Sequence, residues 1–201
     1  KTTLATSYLK ARRRPTLWYA MDSGDTGIAT FFHFLSLASE AADTAQRAPL
    51  PPLTAERRAD LPAFSRTFFE QLGARLPAKA VLVFDNQQDC GDGEEMATAL
   101  ACGLNFLREG QRVMVLSRRE PPPALAPLEV AGRALRVEED ELRLTRAEAK
   151  ALASLRSKDP KKLAQLETMQ EQTRGWVAGM VMLLDSRGPA QTPEVVLDYL
   201  A

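Results

Sequence analysis

Two uninterrupted apolar runs, residues 80–84 (AVLVF) and 113–116 (VMVL), constrain the fold more than any other feature of the chain. A strand that is apolar at every position has no face for water. It is therefore buried on both sides, as in parallel sheets covered by helices. Between the runs, residues 94–108 repeat Met96, Leu100, Leu104 and Leu107 at helical spacing. A third strand is expected at residues 16–21 (TLWYAM), between Pro15 and the polar turn 22–27. Helices are expected at residues 2–11, 28–42 and 61–76. The last two align Ile28, Phe31, Phe32 and Leu35, and Phe64, Phe68 and Leu72, along single faces. Apolar strands alternating with amphipathic helices predict an α/β fold with a parallel sheet and helices on both faces.

The pattern changes further along. A Pro-rich loop is expected at residues 121–127, then short strands at 133–137 and 141–144. Thr145 followed by Glu148 is a capping-box signature opening a helix at 145–155. Residues 160–184 read as a long helical stretch broken near Gly175, and Pro193 sits in the first turn of a helix at 192–201. The expected division is an α/β core over 1–144 and a helical subdomain over 145–188.

The 26 basic and 26 acidic residues of the 201 cancel, so no global field draws the chain to nucleic acid or an anionic membrane. No apolar run approaches the roughly 20 residues of a membrane span. The start KTTLATSYLKARRR has its basic cluster after its apolar stretch, the reverse of a secretory leader. Cys90 and Cys102 make neither a disulfide framework nor a metal motif, which fits a reducing cytoplasm.

Three segments carry candidate chemistry. Lys1-Thr2-Thr3 leads directly into a helix. A phosphate-binding loop ends this way: the Lys reaches phosphate, the hydroxyl ligates Mg²⁺, and the helix start adds free N–H groups. The run AVLVF ends at Asp85, and a parallel sheet presents its ligands at the C-terminal ends of its strands. The run VMVL ends at Ser117-Arg118-Arg119, where a guanidinium can meet a terminal phosphate in the same crevice. The spacing and order of the three give them joint weight.

In that order, KTTL, LWYAMDSGDTGIATFFHFL, VLVFDN, VMVLSRREPPPALAPL, LRLTRAEAKAL and TRGWVAGMVML resemble the signal-transduction ATPases with numerous domains. The branch it is most similar to is that of the maltose-regulon activator and related LuxR-type ATP-dependent bacterial regulators. The resemblance runs over nearly the whole chain. Its most specific pieces are the Ser117-Arg118 strand end and the TxGWxxG segment at 173–179. It implies a P-loop NTPase core whose first strand and glycine-rich loop lie upstream of Lys1, then a helical subdomain, then a winged-helix-like domain beginning at about 189–201. It implies ATP and Mg²⁺ as ligands. Lys1, Thr2, Thr3 and Arg118 would bind nucleotide, Thr2 and Asp85 would hold the metal, and Asp85 with Asn86 would form the catalytic end. The implied partners are sensor and output domains of the same parent, DNA only through a domain outside this chain, and a nucleotide-dependent homo-oligomer. The implied location is the cytoplasm. A P-loop kinase or hydrolase, and an interaction module that has lost nucleotide binding, are the alternatives.

Asn86 departs from the family pattern, which often has a second acid there. An amide holds a water but does not accept its proton, so hydrolysis is expected to be slow or absent, with Asp89 as a substitute base. The first strand is expected between the strands ending at Asp85 and Arg118. Its absence is expected to leave a gap with unpaired backbone on both sides, so that the 201 residues alone neither fold robustly nor bind ATP. Other residues read as structural: His33 as a helix surface or packing residue, Asp22 and Asp25 as a turn, Arg12–Arg14 as a solvated helix end. Gly175, Trp176 and Gly179 read as a close helix contact.

Overall fold

The computed structural model describes residues 1–22, 24, 27–42, 48–89 and 93–185. The chain forms two compact units, Lys1–Ala134 and Leu135–Ala201. The expected start of a further domain at 189–201 lies outside the described residues, as do Cys90 and Asp25.

The first unit is mixed α/β. Its strands β1 (Thr16–Ala20), β2 (Val81–Asp85) and β3 (Arg112–Leu116) form a parallel sheet in the order β1-β2-β3. The helices are α1 (Thr2–Ala11), α2 (Ile28–Ala42), the single turn α3 (Ala55–Arg58), α4 (Leu61–Arg75), α5 (Gly93–Gly103) and α6 (Ala126–Val130). Strand alternation sorts the sheet into two faces. Leu17, Leu82 and Phe84 join the main core with side chains of α2, α4 and α5. Val81, Val83, Trp18, Met114 and Leu116 face the other way and meet Leu9 of α1. Helices therefore cover both faces, as the sequence predicts.

The main core is aromatic. Phe32 packs edge-on against Phe64 and Phe68, with centroids 4.8 and 4.7 Å apart, and Phe31 lies 5.6 Å from Phe84. Burial of each such ring contributes roughly 1.5–3 kcal/mol. Gly103 lets α5 approach α4: a Cβ there would lie 2.1 Å from the Phe69 ring. Buried Gln111 sets the start of β3. Its amide nitrogen donates to the carbonyl of Gly73 at 2.8 Å and points at those of Leu76 and Pro77, while its oxygen accepts from the Arg108 N–H at 3.0 Å.

The sheet corrects one expectation. β2 and β3 pair directly, from Val81↔Arg112 to Asp85↔Leu116, so no gap separates the strands ending at Asp85 and Arg118. Both edges of β2 are used, by β1 and β3, and its backbone groups are satisfied on each side. A further strand has no room there. Among the described residues the open edges of this sheet belong to β1 and β3, and every residue of β3 is at least partly exposed despite its apolar sequence.

The second unit is helical over its described residues, with α7 (Arg146–Arg156), α8 (Pro160–Ala164), α9 (Leu166–Thr173) and α10 (Val177–Asp185). Ala149, Ala153, Met169, Met180, Leu183 and Leu184 form its core. The capping box at α7 is complete: the Glu148 N–H donates to Thr145 Oγ1 at 3.3 Å and the Thr145 N–H to Glu148 Oε2 at 2.9 Å. The Thr145 hydroxyl and N–H hold the Glu148 pKa below the ordinary glutamate value. The helical stretch expected over 160–184 is broken near Gly175, as the sequence predicts, and again at Gln165, giving three helices. Gly175, at φ 76°, turns the chain where a Cβ would lie 3.0 Å from the Leu144 carbonyl. Gly179 likewise approaches Thr173, whereas Trp176 is 42% exposed. The strands expected at 133–137 and 141–144 do not form. Residues 131–140 are all exposed, and Asp140–Leu142 is a single 3-10 turn. Their apolar residues stand among charged ones in the sequence, and among the described residues no strand pairs with them. The expected 121–127 loop also contains a 3-10 turn, Pro123–Leu125, and the start of α6. Among the described residues no helix is long and apolar enough to cross a membrane.

Candidate functional site

One face of α1 and one face of β2 build the site. In α1, Ala5 and Leu9 are buried, and Thr2 lies on the same side at i, i+3, i+7 spacing. In β2, Val81, Val83 and Asp85 share a face by alternation. Leu9 meets Val81 and Val83. At the other end Thr2 Oγ1 donates to Asp85 Oδ1 at 3.2 Å. The helix therefore runs back along the strand, and its N-terminus stands at the C-terminal edge of the sheet. That end carries no side-chain cap and no acidic residue in its first turn. Its orphan N–H groups and positive dipole end face an edge where strand ends gather.

Asp85 is 4% exposed and also accepts the Asn86 N–H at 3.0 Å. Asn86 takes φ 57°, the left-handed region that asparagine tolerates better than most residues. That turns the chain sharply off β2 into the 3-10 turn Gln87–Asp89. Lys1 Nζ donates to the Ser117 carbonyl, one residue past the end of β3. The Arg118 N–H donates to Gln88 Oε1 at 3.0 Å, and the Arg119 N–H to Ser117 Oγ at 3.0 Å.

The structure thus brings Lys1, Thr2, Asp85, Asn86 and the Ser117–Arg118 loop to one end of the sheet. Thr3 is exposed on the first turn of α1. Sequence reasoning missed Gln88, which ties the loop after β2 to the loop after β3 across 30 residues of sequence. A polar residue in a loop has no periodic signal, so only the fold exposes the link. Other residues stand apart. His33 is exposed beside Phe34, the Asp22 carboxylate accepts the Gly24 N–H at 2.7 Å as a turn residue, and Cys102 is a half-buried free thiol.

A hydroxyl and a buried carboxylate 3.2 Å apart are hard oxygen donors. They fit an Mg²⁺ that keeps water and takes phosphate oxygens for its other positions. Among the described residues no cluster of three or more His, Cys, Asp or Glu forms an all-protein metal cage. The nearby ammonium and free helix N–H groups are complementary to an anion. The chain matches no known family model and no curated protein.

Proposed function

We propose that the chain is the ATP-binding core of a P-loop regulatory switch, in a multidomain bacterial transcription regulator of the signal-transduction ATPase type. The observation that carries the reading is the Thr2–Asp85 hydrogen bond. It joins the start of α1 to the end of β2, beside a Lys1 that reaches the end of β3. In this reading Lys1 and the first N–H groups of α1, Thr2 and Thr3 included, bind the phosphates. Thr2 and Asp85 hold Mg²⁺, and Arg118 contacts the terminal phosphate. The bound metal would neutralise phosphate charge. Such a switch would work in the cytoplasm, signal through sensor and output domains of its parent, and touch DNA only through another domain.

Titration calorimetry of the full-length protein with ATP, with and without Mg²⁺, tests the reading. Lys1→Ala should weaken binding about tenfold or more, and Asp85→Asn should remove the Mg²⁺-dependent part, since each deletes a charge-assisted contact. Equal affinity in wild type and both variants refutes the proposal. Asn86 explains a slow reset. It lies beside the metal carboxylate but has no basic site for a water proton. Asn86→Asp should raise steady-state ATP turnover by roughly a hundredfold, the lower range for general-base catalysis. Unchanged turnover would remove Asn86 from the chemistry and leave Asp89 as the candidate base.

A further inference from the structure

Ser117 and Arg118 share one peptide group, and both of its polar ends are taken. The carbonyl accepts from the Lys1 ammonium. The N–H donates to Gln88 Oε1 at 3.0 Å. The peptide is trans, so these ends point to opposite sides, and Lys1 and Gln88 grip it from two directions. The other end of the Gln88 carboxamide donates to Asp89 Oδ2 at 3.1 Å. An oxygen towards the Arg118 N–H and an amino group towards the carboxylate is the one orientation that satisfies both partners.

We propose that Gln88 is the positioning residue for Arg118 and thereby sets discrimination between a nucleoside triphosphate and a diphosphate; this rests on the nucleotide reading above. Arg118 has a long, exposed side chain, so its guanidinium is only as well placed as the backbone that carries it. Gln88 fixes that backbone against the turn that follows Asp85. The backbone from which the guanidinium reaches is thereby held in place relative to the end of β2. An anion that draws Lys1 away frees the Ser117 carbonyl, and Gln88 is then the grip that stays on the peptide. A terminal phosphate reaching Arg118 feels that grip. A diphosphate, which ends short of Arg118, does not.

Two measurements on Gln88→Met and Gln88→Glu test this. Amide hydrogen exchange by NMR reads the grip directly. Arg118 should exchange about tenfold faster in Gln88→Met, which keeps shape but loses the acceptor, and faster by a smaller factor in Gln88→Glu, which retains an acceptor oxygen but loses the donor to Asp89. Calorimetry on the full-length protein reads the consequence. Gln88→Met should weaken Mg²⁺-ATP about tenfold and leave Mg²⁺-ADP within about twofold. A merely structural prop would weaken both nucleotides alike, and that result overturns the inference. So does unchanged Arg118 exchange in Gln88→Met. A wild-type protein that binds neither nucleotide instead removes the reading of the site itself, and the exchange data tell the two failures apart.

Discussion

Gln111 closes three ends of the backbone at once: the last turn of α4, the residues that follow it, and the turn before β3. Carbonyls buried away from water cost free energy unless a donor meets them, and here one carboxamide serves Gly73 with Leu76 and Pro77 in range. Gln111→Leu keeps the volume and removes every donor. It should lower the unfolding free energy by about 2–3 kcal/mol, because the stranded carbonyls keep their desolvation penalty. Urea unfolding checks this through a lower midpoint at unchanged slope; a midpoint shift below one tenth of the transition would show that water replaces the side chain. Neither Gln111 nor Gln88 was legible in the sequence, for the same reason. Each acts through backbone groups roughly 30 or more residues away, and no local pattern encodes such a partner. Asp85 was legible because its position at the end of an all-apolar strand is itself a pattern.

Elements with strong local signals form where the sequence places them, and those lacking a partner do not. Helices α1 and α2 match their expected bounds, and the Thr145–Glu148 box opens α7. The stretch 133–144 sets its apolar residues among charges and pairs with no strand among the described residues, so its expected strands are irregular apart from the turn Asp140–Leu142. β3 shows the opposite case, a strand whose sequence suits full burial on an open edge. The Arg112 N–H donates to Ala80 at 3.0 Å, so by alternation the N–H groups of Met114 and Leu116 face β2, and those of Val113 and Val115 face outward. Val113 and Val115 should exchange their amide hydrogens at least about tenfold faster than Met114 and Leu116. Uniform protection along β3 would mean that another strand already pairs with it. The α7 cap carries a pH signature. Its glutamate pKa is lowered in the folded chain, so the carboxylate's contribution is complete above the ordinary glutamate value. It is lost as pH falls through the lowered folded value. The first turn of α7 should therefore fray as pH falls below the ordinary glutamate range. Backbone NMR shifts of Ala147–Ala149 measured across that range should show the change, and Glu148→Gln should abolish the titration.

At the scale of the whole chain, the division into an α/β unit and a helical unit follows from where apolar residues find partners. The first unit gathers its rings around Phe32 and Phe68, and the second has a separate small core into which Leu144 packs. Leu144 bonds to the α9–α10 turn through the Gly175 carbonyl, 2.8 Å from its N–H. That anchor ties the residue just before the α7 cap to the helical unit, which spans Leu135–Ala201. A change of periodicity at Thr145 signals the start of a helix, but it does not say which core the preceding residues will join. Two cores imply two cooperative units, each near the margin of stability usual for domains of this size. Phe68→Ala removes a fully buried ring from the first core, in contact with Phe32, Phe64 and Phe69. It should cost that unit about 3–5 kcal/mol. Hydrogen exchange read by mass spectrometry should then show faster exchange throughout α2, α4 and β2, while peptides from α7, α9 and α10 keep their wild-type protection. Equal loss in both sets would mean that the chain unfolds as one body, and the helical unit would owe its order to the α/β core.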